Sequence, residues 1–494
     1  MAVLGRDKIV KDFYPVDSKF GAVTIVEDRQ TGRLLYLIIE PPLNDEEKKK
    51  LEEIKNLLIE TIDVELVEMK KGEIRKYLEK KVEQIIKKYK IKVAKEAVDK
   101  LKYYIVRDIL GYGKIDVPMK DKNIEDISCD GVGVPVYVWH RFYESIPTNI
   151  EFENEDELRA FITKLAYKAR RQISIANPMV DGILPEGYRV HLTLGEVSRR
   201  GGTFTIRKFR EEPFTVVDLV ILKSMNPLMA AYFWILLEYG KSIMILGSTA
   251  AGKTTTLNAI AMLIRPEAKI ITIEETPELR LPHENWVPLV TRPSRSTVAE
   301  NVTLFDLLKA SLRMRPDYII VGEIRGEEAY TLFQAIATGH AGLSTMHAEN
   351  VDYAVKRLTI HPMNIPKPLV PVMNVFAHIA RVKIGDKIER RIVNVYEIEG
   401  YDSERDEIIM NKVFEWDSLR DSYIFAGTSK ILEKIAEDKF VSLSFLTSEL
   451  KRRERLISLM VHRNQRSFQQ VSKVIRNYYF NPETTYRLVE AGAI

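Results

Sequence analysis

The stretch SIMILGSTAAGKTTTLNAIAMLI, Ser242–Ile264, constrains the fold more than any other part of this chain. Its first five residues are an apolar run of the kind that makes a buried strand, and its last eleven read as a helix. Between them GSTAAGKT, residues 247–254, fits GxxxxGK[ST], the pattern of a phosphate-binding loop. Glycines at 247 and 252 allow a tight turn that aims backbone N–H groups inward, and the helix adds the positive end of its dipole. Gly247, Ser248, Thr249, Ala250, Ala251, Gly252, Lys253, Thr254 and Thr255 are the expected nucleotide cradle. Lys253 is expected to reach the β- and γ-phosphates of ATP, and the Thr254 hydroxyl to hold Mg2+.

Two further apolar runs end in carboxylates. KIITIEETPEL (Lys269–Leu279) carries Glu274, Glu275 and Glu278, and RPDYIIVGEIRG (Arg315–Gly326) runs through Tyr318–Val321 into Gly322 and Glu323. Consecutive parallel strands deliver their C-terminal ends to one edge of a sheet, where ligands bind. Both clusters are therefore expected beside the phosphate loop. Glu323 is expected to orient water and accept its proton, sharing magnesium with Thr254 and with Glu274 or Glu275. The aspartate usual at the end of such a strand is here Gly322, and Asp317, which starts the strand, is expected at the wrong edge.

TGHAGLSTMHAEN (Thr338–Asn350) places two of the eight histidines, His340 and His347, seven residues apart. A metal pair on one helix face would be spaced i and i+4, so the glycines at 339 and 342 point instead to turn and strand. Metal ligation, burial in the core and a role at the nucleotide remain open on spacing alone.

The remainder divides into regions. Residues 1–110 are expected as a mainly helical extension, with Ile74, Leu78, Val82, Ile85 and Ile86 at helical spacing and a lysine-rich opposite face. That face is either solvated or a dock for an acidic partner or anionic membrane. Residues 111–212 alternate in short runs such as RVHLTL and GTFTIRKF and are expected to form an α+β domain. Residues 213–228, bracketed by Pro213 and Asn226–Pro227, are expected as a linker, and 229–494 as an α/β domain whose strands and helices alternate to about Glu399 before a helical end. PLMAAYFWILL (Pro227–Leu237) is too short to span a bilayer. The single cysteine, Cys129, excludes an internal disulfide, and the N-terminus has no secretory apolar segment, so a cytoplasmic location is expected. A net charge of +4 does not by itself announce a nucleic-acid partner.

GSTAAGKTT, ITIEETPEL, LRMRPDYIIVGEIRG and ATGHAGLSTMHAEN, in this order, resemble the secretion-superfamily ATPases, the motors of type II and type IV secretion systems, type IV pili and archaella. The helical N-terminal region and the NYYFNPETTY ending are similar to archaeal members, closest to the archaellum motor. The resemblance implies a RecA-like P-loop ATPase domain after an α+β, PAS-like domain. It also implies a homo-hexamer using ATP and Mg2+, peripheral on the cytoplasmic membrane, with an integral-membrane platform protein and accessory motor proteins as partners. Acidic phospholipid is a further expected partner; nucleic acid is not. His347 is implied to contact the γ-phosphate, with His340 bracing its loop, and Arg189 and Arg207 are implied to complete the site. A type II secretion or DNA-translocating ring is the alternative, which basic segments confined to the terminal helical regions disfavour.

Overall fold

The computed structural model describes residues 8–17, 20–61, 71–209, 212–292, 301–385 and 387–493. The chain divides into two compact units, Met1–Arg210 and Glu211–Ile494.

The first unit opens with an antiparallel sheet of β1 (Lys8–Asp17), β2 (Gly21–Asp28) and β3 (Leu34–Ile39). Helices α1 (Asp45–Thr61), α2 (Lys71–Lys88) and α3 (Lys95–Ile109) follow and bury Leu51, Ile54, Leu78, Val82 and Leu101 in a core of their own. The short α4 (Asp116–Lys120) leads into β4 (Ile124–Cys129), β5 (Tyr137–His140), β6 (Glu144–Pro147), β7 (Met179–Ile183), β8 (Arg189–Thr193) and β9 (Thr203–Arg207). These form an antiparallel sheet in the order β6-β5-β4-β9-β8-β7. Alternation sets its two faces: Val190, Leu192, Phe204 and Ile206 are buried with Leu158, Ile162 and Leu165 of α5 (Glu155–Lys168), while Arg189, His191, Thr205 and Arg207 face out.

The expected division at residue 110 is not a boundary between compact units. Val23, Ile25 and Tyr36 belong to the same core as the six-stranded sheet, Tyr36 pairs with Thr148, and the Tyr36 hydroxyl donates to the buried Asp121 carboxylate at 2.7 Å. The helical character expected of residues 1–110 begins only at α1.

The second unit begins with α6 (Val216–Ile221) and α7 (Pro227–Glu238). Residues 213–228, expected as a linker, therefore contain a helix. Thr215 and Asp218 close a reciprocal capping box at its start, and Val216, Val217 and Leu219 are buried. The apolar run VVDLVI is too greasy to cross solvent and joins the core instead.

From there the chain runs β10 (Ile243–Gly247), α8 (Lys253–Ala261), β11 (Ile270–Glu274), β12 (Trp286–Val290), α9 (Leu304–Leu312), β13 (Tyr318–Val321), α10 (Glu328–Ala337), β14 (Ala341–His347) and α11 (Val351–Thr359). A hairpin series follows: β15 (Val375–Ile384), β16 (Lys387–Asp402), β17 (Glu407–Asp417) and β18 (Ser422–Phe425). All nine strands share one mixed sheet, ordered β12-β11-β13-β14-β10-β15-β16-β17-β18. It is parallel as far as β15 and antiparallel beyond. Ile243 and Ile245 enter the core on one face, with α7 and α8, and Met244 and Leu246 the core on the other, with α10 and α11. The strands thus continue well past Glu399, and the helical end starts only at α12 (Lys430–Lys439), followed by α13 (Leu443–His462), α14 (Phe468–Phe480) and α15 (Pro482–Ala491).

These last helices fold back on α7. The Trp234 ring lies 5.1 Å from that of Tyr478, and the guanidinium of Arg453 sits 5.0 Å over Trp234 while paired with Glu238. In the basic run KRRER, 451–455, Arg453 is buried and pairs with Glu238 and Glu449, while Arg452 pairs with Glu483 and Arg455 with Glu490 nearer the surface. Among the described residues no helix is long and apolar enough to cross a membrane.

Candidate active site

Strand order determines what meets the phosphate loop. β10 pairs with β14 so that Gly247 stands opposite His347; β13 lies beyond β14, and β11 beyond β13. The strand ends along this edge therefore carry Gly247, His347, Gly322–Glu323 and Glu274 in adjacent positions, although their crossovers separate them by dozens of residues in sequence.

The loop has the backbone its glycines allow. Gly252 takes φ +95° immediately before α8, and Ala250 also takes a left-handed φ, +59°. A Cβ at Gly247 would lie 2.4 Å from the Ile379 carbonyl oxygen, so only glycine fits there. Ser248, Thr249 and Ala250 are exposed, and Thr254 and Thr255 are half-buried on the first turn of α8.

Lys253 is buried; its Nζ donates to the Ser248 carbonyl at 3.0 Å and lies 3.3 Å from His347 Nε2. His347 Nε2 lies 3.6 Å from Glu323 Oε1, and Glu323 Oε2 accepts from Arg325 Nη2 at 2.5 Å. Arg325 Nη1 also approaches Glu275 Oε2, at 3.7 Å. Burial, with Arg325 nearby, holds the Lys253 ammonium below its usual range against the pull of Glu323. Burial first, and then Lys253, lowers His347, favouring the neutral ring. Glu323 Oε1 is buried without a hydrogen-bond partner. Lys253 and Arg325 put cationic donors within reach of phosphate oxygens, while Glu323 and Glu275 present carboxylate oxygens that suit the accompanying cation.

Glu274 differs from its neighbour Glu275. It is buried, its Oε1 accepts from the Glu278 and Leu279 N–H groups at 3.0 Å each, and burial pushes its carboxyl up to about 7. Glu275 is exposed. The glycine at 322 also has a physical reason, because a Cβ there would lie 3.1 Å from Glu274 Cγ. Asp317 lies at the opposite edge, its Oδ2 accepting from the Lys269 N–H at 2.7 Å.

His340 is the clear correction. β14 is seven residues long, and at about 3.3 Å per residue its two ends are roughly 20 Å apart. His340, just before the strand, is at the edge away from the loop, where its N–H and Nδ1 both meet the Ala335 carbonyl at the end of α10. It does not brace the loop. That task falls to residues the sequence did not single out. Buried Glu328 accepts from the Arg325 and Gly326 N–H groups at 2.6 and 2.8 Å, fixing the turn that follows Glu323. Arg357 on α11 donates to the His347 carbonyl, and Thr345 Oγ1 donates to the Gly322 carbonyl at 2.8 Å. The acid pair in RGEE was a visible cue to Glu328; Arg357 had none.

Arg189 and Arg207 lie in the other unit. They stand directly opposite one another on β8 and β9, both exposed; Arg207 Nε lies 3.2 Å from Asp126 Oδ1 and Arg189 Nη2 3.9 Å from Asp181 Oδ1.

A sequence profile of the family described as Type II/IV secretion system protein matches residues 132–383, which span β5 to β9 of the first unit and the whole edge just described. This chain belongs to that family. It is 39% identical over 468 residues to an uncharacterized protein of Methanocaldococcus jannaschii, covering 90% of this chain and 85% of that one. It is 31% identical over 278 residues to the type IV secretion system protein PtlH of Bordetella pertussis, covering 50% of this chain and 82% of PtlH. Among solved structures, the VirB11 ATPase of the Brucella suis type IV secretion system aligns at 25% identity with a TM-score of 0.30, covering 56% of this chain and 90% of that one.

Proposed function

We propose that this secretion-family chain is a hexameric motor ATPase. In this reading it couples Mg-ATP hydrolysis to the assembly or rotation of an archaellum or type IV pilus-like filament, docked on a membrane platform protein at the cytoplasmic face. The second unit is the RecA-like engine and the six-stranded sheet the PAS-like domain. The observation that carries the reading is the alignment of Lys253, His347 and Glu323 along one sheet edge, 3.3 and 3.6 Å apart in succession, beside a left-handed phosphate loop.

In this mechanism phosphate oxygens replace the Ser248 carbonyl as the partner of Lys253. Glu323, whose Oε1 has a free lone pair in a buried position, orients water and takes its proton. His347, kept neutral, donates to the γ-phosphate and distinguishes ATP from ADP. Thr254 with Glu323 or Glu275 would hold Mg2+, which neutralises charge on the phosphates. Arg189 and Arg207, from the same or a neighbouring subunit, supply charge to the γ-phosphate. The type IV secretion relative and the profile support the secretion-family part of this reading, and the phosphate loop with its strand-end residues supports the nucleotide chemistry. The DNA-translocating alternative gains little from KRRER, since Arg453 is buried against Glu238 and Arg452 and Arg455 each already pair with a glutamate.

The test is ATP turnover and nucleotide affinity of Glu323→Gln. Affinity should persist while turnover falls at least about a hundredfold; unchanged turnover would remove Glu323 from the chemistry. Turnover per subunit that does not rise with protein concentration would count against the ring.

A further inference from the structure

Resting on the nucleotide reading above, we infer that Arg381 and Arg390 form an outer phosphate clamp. It grips the α- or β-phosphate from the side of the loop opposite His347 and Glu323. In the sheet, β14 flanks β10 on one side, and β15 and β16 lie on the other. Arg390 on β16 reaches back across β15, and its Nε donates to the Ala250 carbonyl at 3.2 Å. A Cβ at Gly252 would lie 3.3 Å from Arg390 Cδ, so the side chain lies along the loop backbone itself.

Its cross-strand partner is the second, independent observation. Arg381 on β15 stands directly opposite Arg390 in the antiparallel register, so both side chains leave the same face of the sheet. Both are exposed, and among the described residues neither has a carboxylate within 4 Å. The adjacent Arg391, pointing the other way, is buried and paired with Asp421 at 2.8 Å. Like charges directly opposite on a β-ladder repel, and nothing in the sheet requires two cations there. An anion between them and the N-terminus of α8 resolves the repulsion and extends the positive field of the loop. Arg390 lies beyond residue 383, where the family profile ends, so this half of the clamp is not part of the matched core.

The experiment is calorimetric titration of the full-length protein and its variants with ADP and with ATP. Arg390→Gln keeps a donor for the Ala250 carbonyl but loses the charge, whereas Arg390→Lys keeps the charge. Arg390→Gln should weaken ADP and ATP alike by about tenfold or more, Arg381→Gln should act in the same direction, and Arg390→Lys should stay within about threefold. Thermal midpoints should match the parent, since both side chains are at the surface. Parental affinity of Arg390→Gln for both nucleotides would overturn the clamp and leave the nucleotide reading standing. Failure of the parent protein to bind either nucleotide would overturn both.

Discussion

Gly322 and Glu274 compete for one space: a Cβ on the first would lie 3.1 Å from Cγ of the second. The strand end where an aspartate is usual is therefore kept bare by a buried glutamate on the neighbouring strand. Gly322→Ala should cost about 1 kcal/mol and Gly322→Asp about 1–3 kcal/mol, because the crowded neighbour must shift. Urea unfolding midpoints measure this, and a Gly322→Asp variant as stable as the parent would mean that Glu274 moves aside freely.

Glu328 should behave as a positioning residue. Glu328→Gln keeps an acceptor for the Arg325 and Gly326 N–H groups, while Glu328→Ala leaves both without one. Turnover should fall about tenfold or more in the alanine variant and far less in the glutamine variant, with ADP affinity unchanged in both. Equal losses in the two would indicate that the charge, and not the turn, matters.

Thr215 caps α6 and also donates to the Arg466 carbonyl. Thr215→Ala should destabilise the second unit by about 1–2 kcal/mol, readable as a lower thermal midpoint. A free linker in this position would show no change.

Asp421 sets an acid-side pH dependence. Its hydrogen bonds from Arg391 lead in holding its carboxyl down at about 2, against an ordinary 3.8. Since the folded state lowers this pKa, the stabilisation is fully present above the unfolded value and is lost as pH falls toward the folded one. Asp421→Asn should therefore be less stable than the parent at pH 7 by about 1 kcal/mol, solvent screening having reduced the full effect, with the gap closing between pH 4 and pH 2. Denaturant titrations across that range check it, and a gap that persisted at pH 2 would assign the loss to something other than the ionised pair.

What was legible in the sequence was local. The strand before the phosphate loop and the helix after it announce themselves through an apolar run, two glycines and a lysine within twelve residues. The carboxylates of Glu274 and Glu323 could be placed because parallel strands fix which end they occupy. What was not legible depended on pairing between distant segments. β1 to β3 mix charged residues and Pro15 into short runs and gain their burial from Ile124 and its neighbours a hundred residues later. β16 to β18 extend a sheet whose earlier strands gave no sign of where it stops. Arg390 reaches Ala250 only because β15 lies beside β10, a neighbour relation that neither segment encodes alone. His340 was misplaced for a geometric reason: the turn and strand expected between it and His347 are there, and a strand of that length holds the two histidines at opposite edges of the sheet.

The parallel arrangement of β10 to β15 has a consequence for how such a chain can change over generations. Each crossover returns to the edge that holds Asp317 and His340, so a residue gained or lost in the connections there shifts no strand end at the other edge. The connections after Gly247, Glu274, Val321 and His347 have no such slack, because each is itself a wall of the site. Length variation should therefore collect at one edge of the sheet while the other keeps its spacing to the residue.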